Sequence, residues 1–149
     1  MEIKKATLED ISILNEMFTE LYRFETRFDP NSKIDLVFTE YINEFKINSD
    51  LNLIYIAYED NKPVGYIQGY YVFNVTHLFK TYYINTLFVY EEYRNRGIAT
   101  SLINTFIDEA KKNDCKYVTI TNYADNIEAK KLYSKFGFDV IKEERCKEI

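Results

Sequence analysis

Leu87-Phe88-Val89-Tyr90-Glu91-Glu92-Tyr93-Arg94-Asn95-Arg96-Gly97-Ile98-Ala99-Thr100 runs from an apolar stretch, through a polar loop with two arginines and a glycine, into residues at helical spacing. Upstream, Tyr82–Val89 is rich in Tyr, Ile and Val and reads as a strand. Downstream, Ile98, Leu102, Ile103, Phe106 and Ala110 form one apolar stripe, and Lys111 and Lys112 stand where a helix end favours cations. Tyr117–Thr121 is a second short strand. Strand, helix and strand in this order predict a βαβ unit with two parallel strands.

The flanking sequence extends that unit on both sides. Glu2–Ala6 reads as a strand, and Thr7 with Asp10 resembles a capping box. Ile11, Leu14, Phe18, Leu21 and Tyr22 follow as a helical stripe, which breaks over Arg23–Lys33 at the turn Asp29-Pro30-Asn31. Ile34, Phe38, Tyr41 and Phe45 mark a second helix. Leu51–Tyr58 and Val64–Phe73 are strands separated by the polar turn Glu59–Pro63, and with Tyr82–Val89 they predict an antiparallel meander. After Tyr117–Thr121, Asp125 with Glu128 reads as a capping box for a helix that turns Leu132, Tyr133 and Phe136 inward. Gly137 is its stop, and Phe138–Glu143 a last strand. The order is β-α-α-β-β-β-α-β-α-β: an α/β chain with a mixed, largely antiparallel central sheet flanked by helices. With neither repeat nor linker, residues 1–149 read as one domain.

Composition narrows the function. A 149-residue chain with 46% hydrophobic and 29% charged residues suits a globular core. The net charge of −5 argues against a general nucleic-acid surface and suits a cationic substrate such as an amine. Cys115 and Cys146 are too few for a disulfide framework and read as reduced thiols of a cytoplasmic protein. The N-terminal residues lack a signal peptide's apolar run, and no stretch approaches the ~18 apolar residues of a membrane span. A single histidine, His77, and two distant cysteines predict no metal site.

The loop before Ile98 carries the chemistry. A helix's first turn has unpaired N–H groups and a partial positive charge, Gly97 lets the backbone approach an anion, and Arg94 and Arg96 add charge. This suits a pyrophosphate, although neither a G-x-G-x-x-G fingerprint nor a Walker loop is present. Taken alone, the arginines read equally well as solvated charges and Gly97 as a turn residue.

Arg94, Gly97 and Ala99 match R/Q-x-x-G-x-G/A, and Asn126, Ala129, Tyr133, Gly137 and Phe138 match N-x-x-A-x-x-x-Y-x-x-x-G-F. In these motifs and in element order the whole chain resembles the GCN5-related N-acetyltransferases. The resemblance implies an acetyl-CoA-dependent N-acetyltransferase acting by direct attack of a primary amine on the thioester, with no metal. It places the pyrophosphate on Arg94, Asn95, Arg96, Gly97, Ile98, Ala99 and Thr100, the pantetheine arm along the backbone of Phe88 and Val89, and a cofactor contact on Asn126. It also implies Tyr133 as the catalytic group beside the thioester sulfur, where helical spacing alone reads a core aromatic.

The acceptor side is open. Tyr82–Val89 contains no acid, so Glu25, between the first two helices, and Tyr82 are the substrate-side candidates. Lys130, Lys131 and Lys135 are within one helix of the cofactor motif but also suit a solvated face. The acceptor read here is a small-molecule amine, with a protein N-terminus or lysine as the alternative. A noncatalytic acyl-CoA-binding regulatory module is the rival from another class. Glu91 and Asn95 stand where the family often has Pro and Gly, and only eleven residues follow Phe138. One strand fits there, which would leave a sheet edge for a homodimer to cover.

Overall fold

The computed structural model describes residues 1–28, 52–74 and 78–141. Five strands form one sheet in the order β1 (Glu2–Lys5), β2 (Leu53–Glu59), β3 (Lys62–Asn74), β4 (Phe79–Val89) and β5 (Tyr117–Ile120). β1 to β4 pair antiparallel, whereas β4 and β5 pair parallel, as the βαβ reading requires. The helices are α1 (Ile11–Glu25), α2 (Ile98–Lys112) and α3 (Ile127–Lys135). The second helix expected over Ile34–Phe45 lies outside the described residues, as do His77 and Cys146.

Alternation along the strands sorts the core into two layers. On one face Leu14, Met17 and Leu21 of α1 pack on Ile54, Ile56, Tyr66 and Phe88. On the other, Leu102, Ile103 and Phe106 of α2 pack on Tyr55, Ile67 and Ile84, with Leu132 and Tyr133 of α3 and its C-terminal cap Phe136 against them. The α1 entry follows the sequence. Thr7 N–H donates to the Asp10 carboxylate at 2.7 Å, and Glu9 N–H donates to Thr7 Oγ1 at 3.3 Å, over a short 3-10 turn that precedes α1.

Two sequence expectations are corrected. The cap of α3 is Asn126, whose Oδ1 accepts from Ala129 N–H at 3.0 Å, and not Asp125. Asn126 has the three-residue spacing to that amide, and Asp125 stands one position outside the cap. Residues 138–141 carry no strand, and Val140 and Ile141 are exposed, whereas 142–149 lie outside the described residues. The expectation of dimerisation rested largely on that terminus.

The feature that positions the site is a bulge. β3 and β4 pair Gln68 with Thr86 and then Gly69 with Ile84, so Asn85 is an extra residue on β4. A bulge bends its strand and increases its twist. β4 pairs with β5 only from Thr81–Tyr117 to Ile84–Ile120, the last residue of β5, so the ladder stops where the bulge begins. Gly69 permits this: a Cβ there would lie 2.2 Å from the Tyr83 carbonyl oxygen and 2.6 Å from Phe106 Cζ.

Candidate active site

Beyond Ile84 the β4 edge of Asn85–Val89 has no β5 partner, because β5 ends at Ile120, and this leaves a gap in the pairing on that side. The loop after β4 closes one end of this gap. Tyr90 N–H donates to the Val64 carbonyl at 3.1 Å, a 3-10 turn spans Glu91–Tyr93, and Asn95 and Gly97 adopt left-handed φ values of 62° and 81°. Gly97 caps α2 and, having no side chain, makes no capping hydrogen bond to the first-turn amides of Ile98, Ala99 and Thr100. A Cβ on Gly97 would meet no protein atom within 4 Å. Its backbone therefore faces open space, as an anion cradle requires.

The two arginines differ. Arg94 is half-buried; its Nε donates to the Val89 carbonyl at 3.1 Å, and its guanidinium lies 5.0 Å from the Phe24 ring centre. It thus ties the loop to the end of α1, and the Val89 carbonyl expected to face pantetheine is already engaged. Arg96 is exposed, donates to the Glu92 carbonyl at 2.9 Å, approaches Glu59 at 3.6 Å and stacks over Tyr93. Phe88 is buried in the α1-side core with its backbone in register with Tyr66, and Val89 is buried in the α2-side layer.

α3 packs on the α2-side layer of the core. Asn126 uses its carbonyl oxygen on the cap, so its amide NH2 is what it can turn toward a cofactor. Tyr133 packs edge-on to Phe138 at 6.1 Å, and its phenol pKa is pushed up to about 12 by burial and by the negative charge of Glu25. Glu25 is the last residue of α1 and not a loop residue. The α1 end is pinned on both sides, since Phe24 carries Arg94 and Phe28 stacks on Tyr123 at 6.0 Å, in the loop after β5. Glu25 is on α1 and Tyr133 packs on the α2-side layer, and the negative charge of Glu25 adds to the rise in the Tyr133 pKa.

Glu25 also lines a cavity of ≈ 100 Å³ under α1, together with Phe18, Leu21, Tyr22, Tyr66 and Thr86. Beneath it, Thr86 Oγ1 donates to Gln68 Oε1 at 3.4 Å, Asn85 Nδ2 donates to the same oxygen at 2.9 Å, and Gln68 Nε2 donates to buried Asn52 at 2.9 Å. Tyr82, expected on the substrate side, is instead buried on the α2 face, edge-on to Phe106 at 5.1 Å. Lys130, Lys131 and Lys135 are exposed. Cys115 is a free, half-buried thiol before β5, at the end of the sheet opposite the gap, and burial raises its pKa. No group of three or more potential metal ligands occurs among the described residues.

Sequence reasoning did not single out Tyr66, Asn85, Thr86 or Phe24. Gly69 inside a strand pattern was a usable signal for the bulge. Tyr66 had none, because it sits among other strand aromatics.

A family model described as the acetyltransferase (GNAT) family matches residues 15–138. The chain is 25% identical over 139 residues to YhfO, an uncharacterized N-acetyltransferase of Bacillus subtilis (strain 168), covering 93% of this chain and 90% of that protein. A variant of the BH1408 protein from Bacillus halodurans has the same fold, with a TM-score of 0.87, 18% identity and coverage of 100% and 99%. The ribosomal-protein-alanine N-acetyltransferase of Brucella melitensis biovar Abortus 2308 aligns with a TM-score of 0.78 at 15% identity, over 100% of both chains.

Proposed function

The chain belongs to the GNAT acetyltransferase family, and from that premise we propose that it transfers an acetyl group from acetyl-CoA to the primary amine of a small molecule. The observation that carries the reading is the N-terminus of α2 at Gly97, whose left-handed backbone faces open space in the loop that holds Arg96. These residues fit the co-substrate. The first-turn amides of α2, with Gly97 facing open space, suit its pyrophosphate, and Arg96 supplies charge at that loop. The edge of Asn85–Phe88, which has no β5 partner, suits an extended amide-bearing arm, which would add along it as a strand does.

Acetyl-CoA supplies an acetyl thioester whose carbonyl carbon is open to attack by an amine nitrogen. Tyr133 donates a hydrogen bond to the sulfur as negative charge develops there. Complete proton donation would be strongly uphill: a phenol near 12 opposite a thiol of about 8.5 differs by about 3.5 units, or roughly 5 kcal/mol. β4 has no acidic residue, so we assign deprotonation of the acceptor ammonium to Glu25, the acid that lines the cavity and whose charge raises the Tyr133 pKa. Cys115 stands at the far end of the sheet and takes no part, and the amine attacks the thioester directly. The chain's net charge of −5 and the ≈ 100 Å³ volume of the cavity beside Glu25 support a small cationic acceptor.

The test is a panel of alkylamines, amino alcohols, polyamines, amino acids and short peptides with acetyl-CoA, read by the mass of acetylated product. Turnover confined to small amines supports the proposal. Turnover confined to peptides replaces the acceptor class, and acetyl-CoA binding without any turnover favours a regulatory module.

A further inference from the structure

We propose that Gln68 is a positioning residue of the transfer site: its side-chain amide bridges the bulge at Asn85 and Thr86 to buried Asn52, and so sets the β4 edge along which the acetyl-CoA arm lies. The inference rests on the transferase reading above and adds to it the group that holds that edge.

An extra residue in a strand is left out of the backbone ladder, so other contacts must hold it. β5 does not, because it ends at Ile120, opposite Ile84. The hold comes from the side chain across the bulge. Gln68 Oε1 accepts from Asn85 Nδ2 at 2.9 Å and from Thr86 Oγ1 at 3.4 Å, so both residues of the bulge converge on one atom. At its other end Gln68 Nε2 donates to Asn52 Oδ1 at 2.9 Å. Asn52 is 5% exposed, and it and Thr81 are the buried polar residues among the described ones. The side chains thus form a bridge from Asn52, just before β2, across β3 to β4. A buried amide that lost its partner would carry the full penalty of its desolvation, which keeps the bridge closed.

The same bonds fix where the bulge sits. Residues directly opposite one another in an antiparallel pair share a face of the sheet. Thr86 stands opposite Gln68, and lines the cavity under α1, because the extra residue comes before it. Were the extra residue moved toward Val89, Asn85 would stand opposite Gln68 and Thr86 would turn to the α2 side, away from Gln68 Oε1. That shift would displace the edge of Asn85–Phe88 against the thioester, and a misplacement of about 1 Å can cost roughly a hundredfold in rate. Gly97 lies beyond the end of β4 and takes no part in the bridge, so the two ends of the co-substrate report separately.

The test compares the wild type with Gln68→Met, which keeps the length of the side chain without its hydrogen bonds, and with Gln68→Glu. The carboxylate of the second accepts from Asn85, Thr86 and, once that amide turns over, Asn52. The readouts are kcat, calorimetric affinity for acetyl-CoA and for adenosine 3′-phosphate 5′-diphosphate, which has the pyrophosphate but no arm, and amide hydrogen exchange at Asn85–Phe88 in the ligand-free protein. Gln68→Met should lower kcat about a hundredfold and acetyl-CoA affinity about tenfold, leave the armless nucleotide within about twofold, and speed the exchange. Gln68→Glu should restore most of each loss. Equal losses for acetyl-CoA and the armless nucleotide, or a Gln68→Glu variant as impaired as Gln68→Met, overturn the assignment. Should Gln68→Met fail to fold, Asn85→Ala, which removes an exposed partner and leaves Gln68 on Asn52, must lower acetyl-CoA affinity and spare the armless nucleotide, and the absence of that split overturns it. If the wild type transfers no acetyl group, the transferase reading has failed, and the exchange rates still decide whether Gln68 holds the bulge, unchanged rates in the variant overturning it.

Discussion

Tyr133→Phe removes one oxygen and keeps the ring that packs on Phe138. If the phenol acts by hydrogen-bonding the sulfur as charge develops, the variant loses one bond to a charged group, worth about 1.5–3 kcal/mol. That corresponds to roughly a 10- to 150-fold fall in kcat at 1.36 kcal/mol per decade. Acetyl-CoA affinity should change by less than about twofold, because the bond strengthens only in the transition state. With the phenol pushed up to about 12, its ionisation gives no descending limb below about pH 10. The assay is steady-state thiol release checked by product mass, with calorimetric Kd for acetyl-CoA and a thermal midpoint. An unchanged kcat, or equal losses in kcat and affinity, refutes this role for Tyr133.

Three further perturbations address the scaffold. Gly69→Ala forces a methyl against the Tyr83 carbonyl and the Phe106 ring and should cost about 1–3 kcal/mol in urea unfolding; a neutral result would contradict the bulge geometry. Gly97→Ala strains a left-handed residue by about 1 kcal/mol and sets a methyl in the space assigned to the pyrophosphate, so acetyl-CoA affinity should fall more than stability does. The third concerns Glu109: burial raises its carboxyl pKa, but hydrogen bonding to Lys5, Tyr55 and Asn113 outweighs this and the net shift is downward. A folded pKa below the unfolded value of about 4.5 gives stability that is present at neutral pH and lost as pH falls through the folded value. The urea midpoint should therefore drop more between pH 6 and pH 3.5 in the wild type than in Glu109→Gln, and identical drops would contradict it.

The sequence was most legible where one periodicity ran through an element. Ile98 to Ala110 gave α2, and Thr7 with Asp10 gave the entry to α1, because each depends on residues a turn apart. The bulge in β4 was less legible, since an extra residue at Asn85 leaves the apolar character of the strand unchanged. Arg94 read as a ligand for phosphate by its charge, yet its guanidinium meets Val89 and Phe24, a partner far away in the chain that no spacing rule connects to it. Glu25 was visible as an acid in the right region. That its charge reaches Tyr133 required the fold.

Direct transfer to an amine is tested most closely by mixing the protein with isotopically labelled acetyl-CoA and an accepted amine, quenching early in the first turnover, and weighing both protein and product. Label should appear on the amine with none on the protein, and the Cys115→Ala variant should behave identically. Label arriving first on the protein, or never reaching an amine while acetyl-CoA is bound, would contradict the account.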